Sequence, residues 1–165
     1  MYLSVRRAKS SDLTKMLKLA SNFYANTLMS KRLVSKLDIQ IIIHDNLKAG
    51  GFCFCEDEGK NPKSFTIEIA RTKKQLQMIK VLAHEMIHVK QYAKNEMRDT
   101  SLKKRSVTSV TYWQGETYYE TMYWDRPWEI EAYGLENGLL VKFLAEYQLF
   151  KHFKEREQNW IPNNL

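Results

Sequence analysis

A chain of 165 residues with 44% hydrophobic residues, 27% charged residues, six glycines and three prolines is long enough for one buried core. That balance excludes disordered, collagen-like and low-complexity classes. Lysine and arginine number 26 against 19 acidic residues, a net charge of +7, which favours association with polyanions such as DNA through distributed basic residues. A solvated basic surface accounts for the same numbers equally well. The denser basic groups are Lys73-Lys74, Lys103-Lys104-Arg105 and residues 151–156.

No stretch has the apolar run of a secretory leader or a membrane span, so the expectation is a cytoplasmic single domain without a membrane partner. Its parts are an N-terminal helix in residues 1–35, a sheet and central helix in residues 36–94, and a hairpin and C-terminal helix in residues 95–165. Leu13, Met16, Leu17, Ala20, Phe23, Tyr24 and Leu28 recur at helical spacing behind the capping run Ser10-Ser11-Asp12, which predicts an amphipathic helix over residues 11–28. Residues 38–44 are rich in β-branched side chains and predict a strand with Ile39, Ile41 and Ile43 on its apolar face. His44 falls on the other face and is read as structural. A second strand follows over residues 52–55, and a third over residues 64–71 with Phe65, Ile67 and Ile69 alternating with polar or small neighbours. Cys53 and Cys55 lack the partner pairs of a zinc ribbon and read as reduced packing residues.

Residues 73–94 contain neither proline nor glycine and set Leu76, Ile79, Ala83, Met86 and Ile87 in one stripe, predicting a long helix. A polar stretch over residues 95–106 precedes a hairpin over residues 107–119, centred on Gln114-Gly115. Pro127, with Asp125 nearby as a cap, starts a last helix carrying Ile130, Leu135, Leu139, Phe143, Tyr147 and Phe150. The order of elements predicts an α+β fold with a small, mainly antiparallel sheet.

The chemistry concentrates at His84-Glu85-Met86-Ile87-His88. Two histidines four residues apart on a helix stand one turn above each other and present both imidazoles to one cation, with the glutamate between them directed at the same cavity. Zinc hydrolysis requires that arrangement: His84 and His88 as metal ligands, an open position for water, and Glu85 as the base that moves the water's proton to the leaving group. The plain alternative is a chance match on a solvated helix. A third ligand must come from elsewhere. His152 lies in a lysine-rich segment, whereas Glu129 and Glu131 lie in the first turns of the last helix, where the helix dipole favours carboxylates in any case. Residue types alone leave those two open.

The run His84 to Gln91 resembles the HExxHxxQ helix of SprT-like and related small gluzincin metallopeptidases. Trp113-Gln114-Gly115 and the run Arg126 to Tyr133 resemble the segment that brings the third ligand in phage and bacterial members. The resemblance covers residues 37–145. It implies a zincin-like (minigluzincin) fold, a Zn2+ cofactor and a protein or peptide substrate paired along an edge strand, here residues 64–71. It also favours Glu129 as the ligand, because Ala132 stands three positions later, where several gluzincin branches keep a small residue. The chain departs from SprT proteins in having no C-terminal zinc ribbon. Two other readings keep part of the pattern: a deformylase-like hydrolase of small substrates, and a basic nucleic-acid-binding protein with a vestigial metal site. An accessible strand edge beside the metal favours peptides; a closed pocket favours a small substrate. Tyr118, Tyr119, Tyr123 and Tyr133 are the candidates for stabilising an oxyanion, but aromatic residues this dense are usually packing, and none is assigned the role.

Overall fold

The computed structural model describes residues 1–57, 59–100 and 110–156. The chain begins with β1 (Tyr2–Arg6), a short strand missing from the expected elements, whose Leu3 and Val5 pack against the core. Helix α1 (Ser11–Leu28) follows with the bounds its periodicity predicts; Ser10 caps it by accepting from the Leu13 N–H at 3.1 Å. A single turn, α2 (Lys31–Val34), capped by Ser30, leads into β2 (Asp38–His44). Then come β3 (Gly51–Cys55) and β4 (Ser64–Ala70).

These four strands form one sheet in the order β1, β2, β4, β3. Two of its three ladders are parallel and only β3 with β4 is antiparallel, which corrects the expected mainly antiparallel sheet. The cause is the crossover. Helices α1 and α2 return the chain from the end of β1 to the start of β2, and such a connection leaves its strands parallel. From β2 the chain runs out to the far edge as β3, and the turn after Cys55 brings β4 back between them. Strand β4 is therefore central, with neighbours on both sides, and the edge is β3. This corrects the assignment of residues 64–71 as the edge strand.

One face of the sheet carries the core. Ile39, Ile41 and Ile43 of β2 stand beside Phe65, Ile67 and Ile69 of β4, and all six are within 1% of full burial. Each such side chain contributes roughly 1.5–3 kcal/mol of burial free energy. Cys53 and Cys55 pack against the same core as free thiols, and burial pushes the Cys53 thiol well above its ordinary pKa. The opposite face bears Gln40, Thr66 and Glu68, and no helix among the described residues covers it. His44 lies there, 3.2 Å from Glu68.

Two long helices cover the apolar face. Helix α3 (Gln75–Ala93) is buried on every side from Leu82 to Gln91, because β3 and β4, α1 and the last long helix enclose it. Strands β5 (Met97–Thr100), β6 (Val110–Trp113) and β7 (Glu116–Tyr119) form a second, antiparallel sheet. The β6 to β7 turn is the expected Gln114-Gly115, and its positive φ angles of 48° and 93° suit a tight hairpin. The stretch read as merely polar supplies β5; residues 101–109, which include the Lys103 to Arg105 group and the start of the expected hairpin, lie outside the described residues.

Helix α4 (Pro127–Glu146) has Pro127 at its first position as expected, yet Asp125 lies in a 3-10 turn (Tyr123–Asp125) and does not cap it. Its buried line is Trp128, Glu129, Ala132, Glu136, Leu139, Leu140, Phe143 and Leu144, and the expected core residues Ile130 and Leu135 are 59% and 42% exposed. The helix ends at Glu146, and α5 (Phe150–Arg156) completes the described chain; the side chains of residues 154–156 lie outside the description. Among the described residues no helix is long and apolar enough to cross a membrane.

Candidate metal centre

The flank of α3 that faces α4 carries His84 and His88, one turn apart. Ala132, fully buried on α4, leaves room for the two helices to close on each other and brings Glu129 across. His84 Nε2 and His88 Nε2 lie 3.2 Å apart, and Glu129 Oε2 lies 3.4 Å from the first and 3.6 Å from the second. Ligand atoms about 2.0–2.1 Å from a tetrahedral zinc stand about 3.3–3.4 Å from one another. The three atoms thus form one face of a tetrahedron of the right size, and this buried group can hold a metal ion.

The surroundings fix which nitrogen faces inward. His84 Nδ1 meets Glu136 Oε2 at 3.0 Å, and His88 Nδ1 meets Gln91 Oε1 at 2.7 Å. Both partners accept, so both Nδ1 atoms donate and both Nε2 lone pairs are left for a cation. Gln91, fully buried, is itself oriented: its amide N–H groups donate to the Trp128 carbonyl at 2.9 Å and to Glu131 Oε2 at 2.8 Å. It therefore ties His88 to the first turn of α4. Glu131 points away from the donor atoms and accepts from Lys90 at 2.8 Å. Of the two glutamates the sequence left open, Glu129 joins the histidines.

Three side chains around the centre have no place in the ligand set expected from the sequence. Glu136 stands seven residues after Glu129, two turns along the same helix face, so helical spacing could have found it. Gln91 closes the run that begins at His84, but the run by itself gives it no task. Tyr123 donates its hydroxyl to Glu129 Oε2 at 2.9 Å and lies 3.2 Å from the Tyr133 hydroxyl. Tyr133 sets its ring edge-on to His84, with centroids 4.6 Å apart. His152, on α5, stacks on Phe153 and takes no part in the cluster.

Glu85 is 5% exposed and lies against the sheet edge. A Cβ at Gly51 would stand 2.7 Å from Glu85 Oε1, 2.7 Å from Val81 Cγ1 and 3.0 Å from the Glu68 carbonyl oxygen, so glycine at this position is what lets the carboxylate approach β3. Burial pushes the Glu85 carboxyl up to about 7, against the pull of His88 and His84. Burial works against a charge on His84 too, but the hydrogen bonds it donates to Glu129 and Glu136 outweigh it and raise the imidazole to about 9. Burial likewise opposes the Glu129 carboxylate, and its bonds to His84 and His88 hold it well below the usual range. With three carboxylates around two imidazoles, the cavity is built for positive charge.

A pH dependence follows. The stabilisation from the His84 proton is complete below its ordinary pKa of 6.5 and is lost as pH rises through about 9; that from protonated Glu85 is complete below 4.5 and is lost through about 7. The thermal midpoint of chelator-treated protein should therefore fall between pH 6 and 9, by roughly 5 °C or more. Melting followed by circular dichroism checks this, and a flat profile over that range would contradict the raised His84 pKa.

The donor atoms sit where two lobes of a cleft meet. One lobe, of about 480 Å3, is lined by Tyr92, Met97, Tyr118 and Trp128; the other, of about 290 Å3, by Gln77, Lys80, Val81 and Tyr133. His84, Glu85, Gly51 and Tyr123 border both. Comparison of the chain with known protein families, with curated proteins and with solved structures finds no match.

Proposed function

We propose that the chain is a zinc-dependent metallopeptidase of gluzincin type with a zincin-like fold, working in the cytoplasm on extended protein or peptide segments, among them proteins associated with nucleic acid. The observation that carries the reading is a tetrahedral face of His84, His88 and Glu129 donors beside a strand edge that no other described strand covers. His84, His88 and Glu129 would hold a zinc ion, which would supply Lewis acidity and lower the pKa of a bound water to about 7.

Glu85 then takes the proton of the attacking water and delivers it to the leaving amine. Its pKa near 7, set by burial, suits it to both transfers at neutral pH. Tyr123 keeps its proton, since burial pushes its hydroxyl far above the ordinary value. Turning from Glu129 toward the cleft, that hydroxyl can donate to the oxygen that gains charge as the carbonyl is attacked.

Strand β3 positions the substrate. The Ala70 N–H donates to the Gly50 carbonyl and the Glu56 N–H to the Ser64 carbonyl, so even-numbered residues of β3 bond to β4. By the alternation of antiparallel rungs, the backbone groups of Gly51, Cys53 and Cys55 face away and are free to pair with an extended peptide. A cleft with a lobe on each side of the ligands supports a chain that enters and leaves, and argues against a closed small-substrate site.

The test is incubation of zinc-reconstituted protein with an unfolded casein and with a formyl-methionyl peptide. Cleavage of internal peptide bonds, read by mass spectrometry and stopped by chelator, is the expected result. Removal of the formyl group without internal cleavage would overturn the peptidase reading.

A further inference from the structure

The basic residues look distributed when counted as clusters, but the excess charge is not. Residues 1–36 hold eight lysines and arginines and a single acid, Asp12, a net +7 that equals the charge of the whole protein. Residues 37–165 hold eighteen of each sign and are neutral. The fold keeps that partition in space, because residues 1–36 make up β1, α1 and α2, and β1 is the sheet edge opposite β3. Three inter-strand steps, about 14 Å, separate the two edges.

On α1 the exposed stripe is Lys15, Lys18, Asn22 and Asn26, running along about 17 Å of helix toward exposed Lys31 and Arg32 on α2. Among the described residues, Lys9 alone of the eight cations has a carboxylate partner, Asp45 at 3.0 Å. The others are exposed and unpaired. A surface kept basic only for solubility would not require the rest of the chain to be neutral.

We propose that the β1, α1 and α2 edge is a nucleic-acid-binding surface that holds the phosphate backbone through Lys15, Lys18, Lys31 and Arg32, with the second amide hydrogens of Asn22 and Asn26 as added donors, the first being given to the Lys18 and Asn22 carbonyls. The chemistry favours nucleic acid over an anionic membrane. A helix that lies on a membrane turns large apolar residues outward, whereas Leu13, Leu17, Ala20 and Tyr24 of α1 are buried in the core and its outer stripe is wholly polar. The surface is separate from the metal centre, and the inference does not rest on the peptidase reading.

The test is binding of the full chain to a fluorescent duplex at 50–200 mM KCl. The native protein should bind with a steep salt dependence, the logarithm of affinity falling by about 0.9 per phosphate contact for each decade of salt. Combining Lys15→Gln, Lys18→Gln, Lys31→Gln and Arg32→Gln should weaken binding at least about 100-fold at the lowest salt and reduce that slope by about 3 to 4. A control that removes the same charge from exposed positions elsewhere, Lys48→Gln, Lys73→Gln, Lys74→Gln and Lys142→Gln, should stay within about threefold of native. The proposal is overturned if the native protein shows no salt-dependent binding or if the control loses as much as the edge variant. Binding to phosphatidylserine vesicles but not to the duplex overturns it as well.

Discussion

Glu85→Gln is expected to lower kcat/KM on a peptide substrate by about 10²–10⁴, the contribution of a positioned general base, with zinc content unchanged. Glutamine keeps the shape and can still lie against Gly51, but its amide cannot accept the water's proton. The same substitution removes a buried charge. Because the folded protein raises the Glu85 carboxyl to about 7 from an ordinary 4.5, the ionised group opposes folding as pH rises above 4.5. The variant should therefore melt at the same temperature as native protein or higher near pH 8. Loss of activity with retained metal and undiminished stability separates a chemical role from a structural one. Steady-state rates, metal analysis and thermal melts together decide it, and a rate within tenfold of native would remove Glu85 as the base.

Local signals survived folding well. The bounds of α1 follow from its cap and spacing, and the inward faces of β2 and β4 from strict alternation, since both depend on residues within a few positions of each other. The strand order could not be read in the same way. Strand β1 alternates Leu3 and Val5 with Ser4 and Arg6, but two apolar residues in a five-residue segment are a weak signal, and what secures it as a strand is pairing with β2, more than thirty residues later. Nor does any local pattern say that β4 inserts between β2 and β3. Helix α4 misled for a different reason: it turns Glu129 and Glu136 inward, so its buried face is partly carboxylate and its apolar residues Ile130 and Leu135 are left outside. A periodicity argument assumes that the core takes the apolar stripe, and a helix that serves a charged cavity breaks that assumption. The histidine pair was legible because both members sit one turn apart on a single helix. Glu136 meets His84 only through the packing of α3 against α4, Gln91 links its helix neighbour His88 to the first turn of α4, and Tyr123 reaches Glu129 from the 3-10 turn before α4, so their tasks depend on contacts between elements.

The choice of Glu129 over Glu131 makes the sharpest demand on metal binding. Glu129 Oε2 stands 3.4 Å and 3.6 Å from the two imidazole nitrogens, whereas both oxygens of Glu131 are engaged by Lys90 and Gln91 at 2.8 Å. Glu129→Gln replaces an anionic donor with a neutral one and should weaken zinc binding by about 10³-fold or more, roughly 4 kcal/mol. Glu131→Gln keeps an acceptor for Gln91 while Lys90 retains Glu96 at 2.6 Å, so its effect should stay within about tenfold. Competition against a chromophoric chelator measures both, and a larger loss from Glu131→Gln would reverse the assignment. The metal-free proteins give an independent check. Glu129 is the first of the partners that hold the His84 proton. Without its charge the imidazole should titrate closer to 6.5, and the fall in melting temperature should move to lower pH. That shift needs no metal and no substrate, so it tests the geometry of the centre apart from any reading of its chemistry.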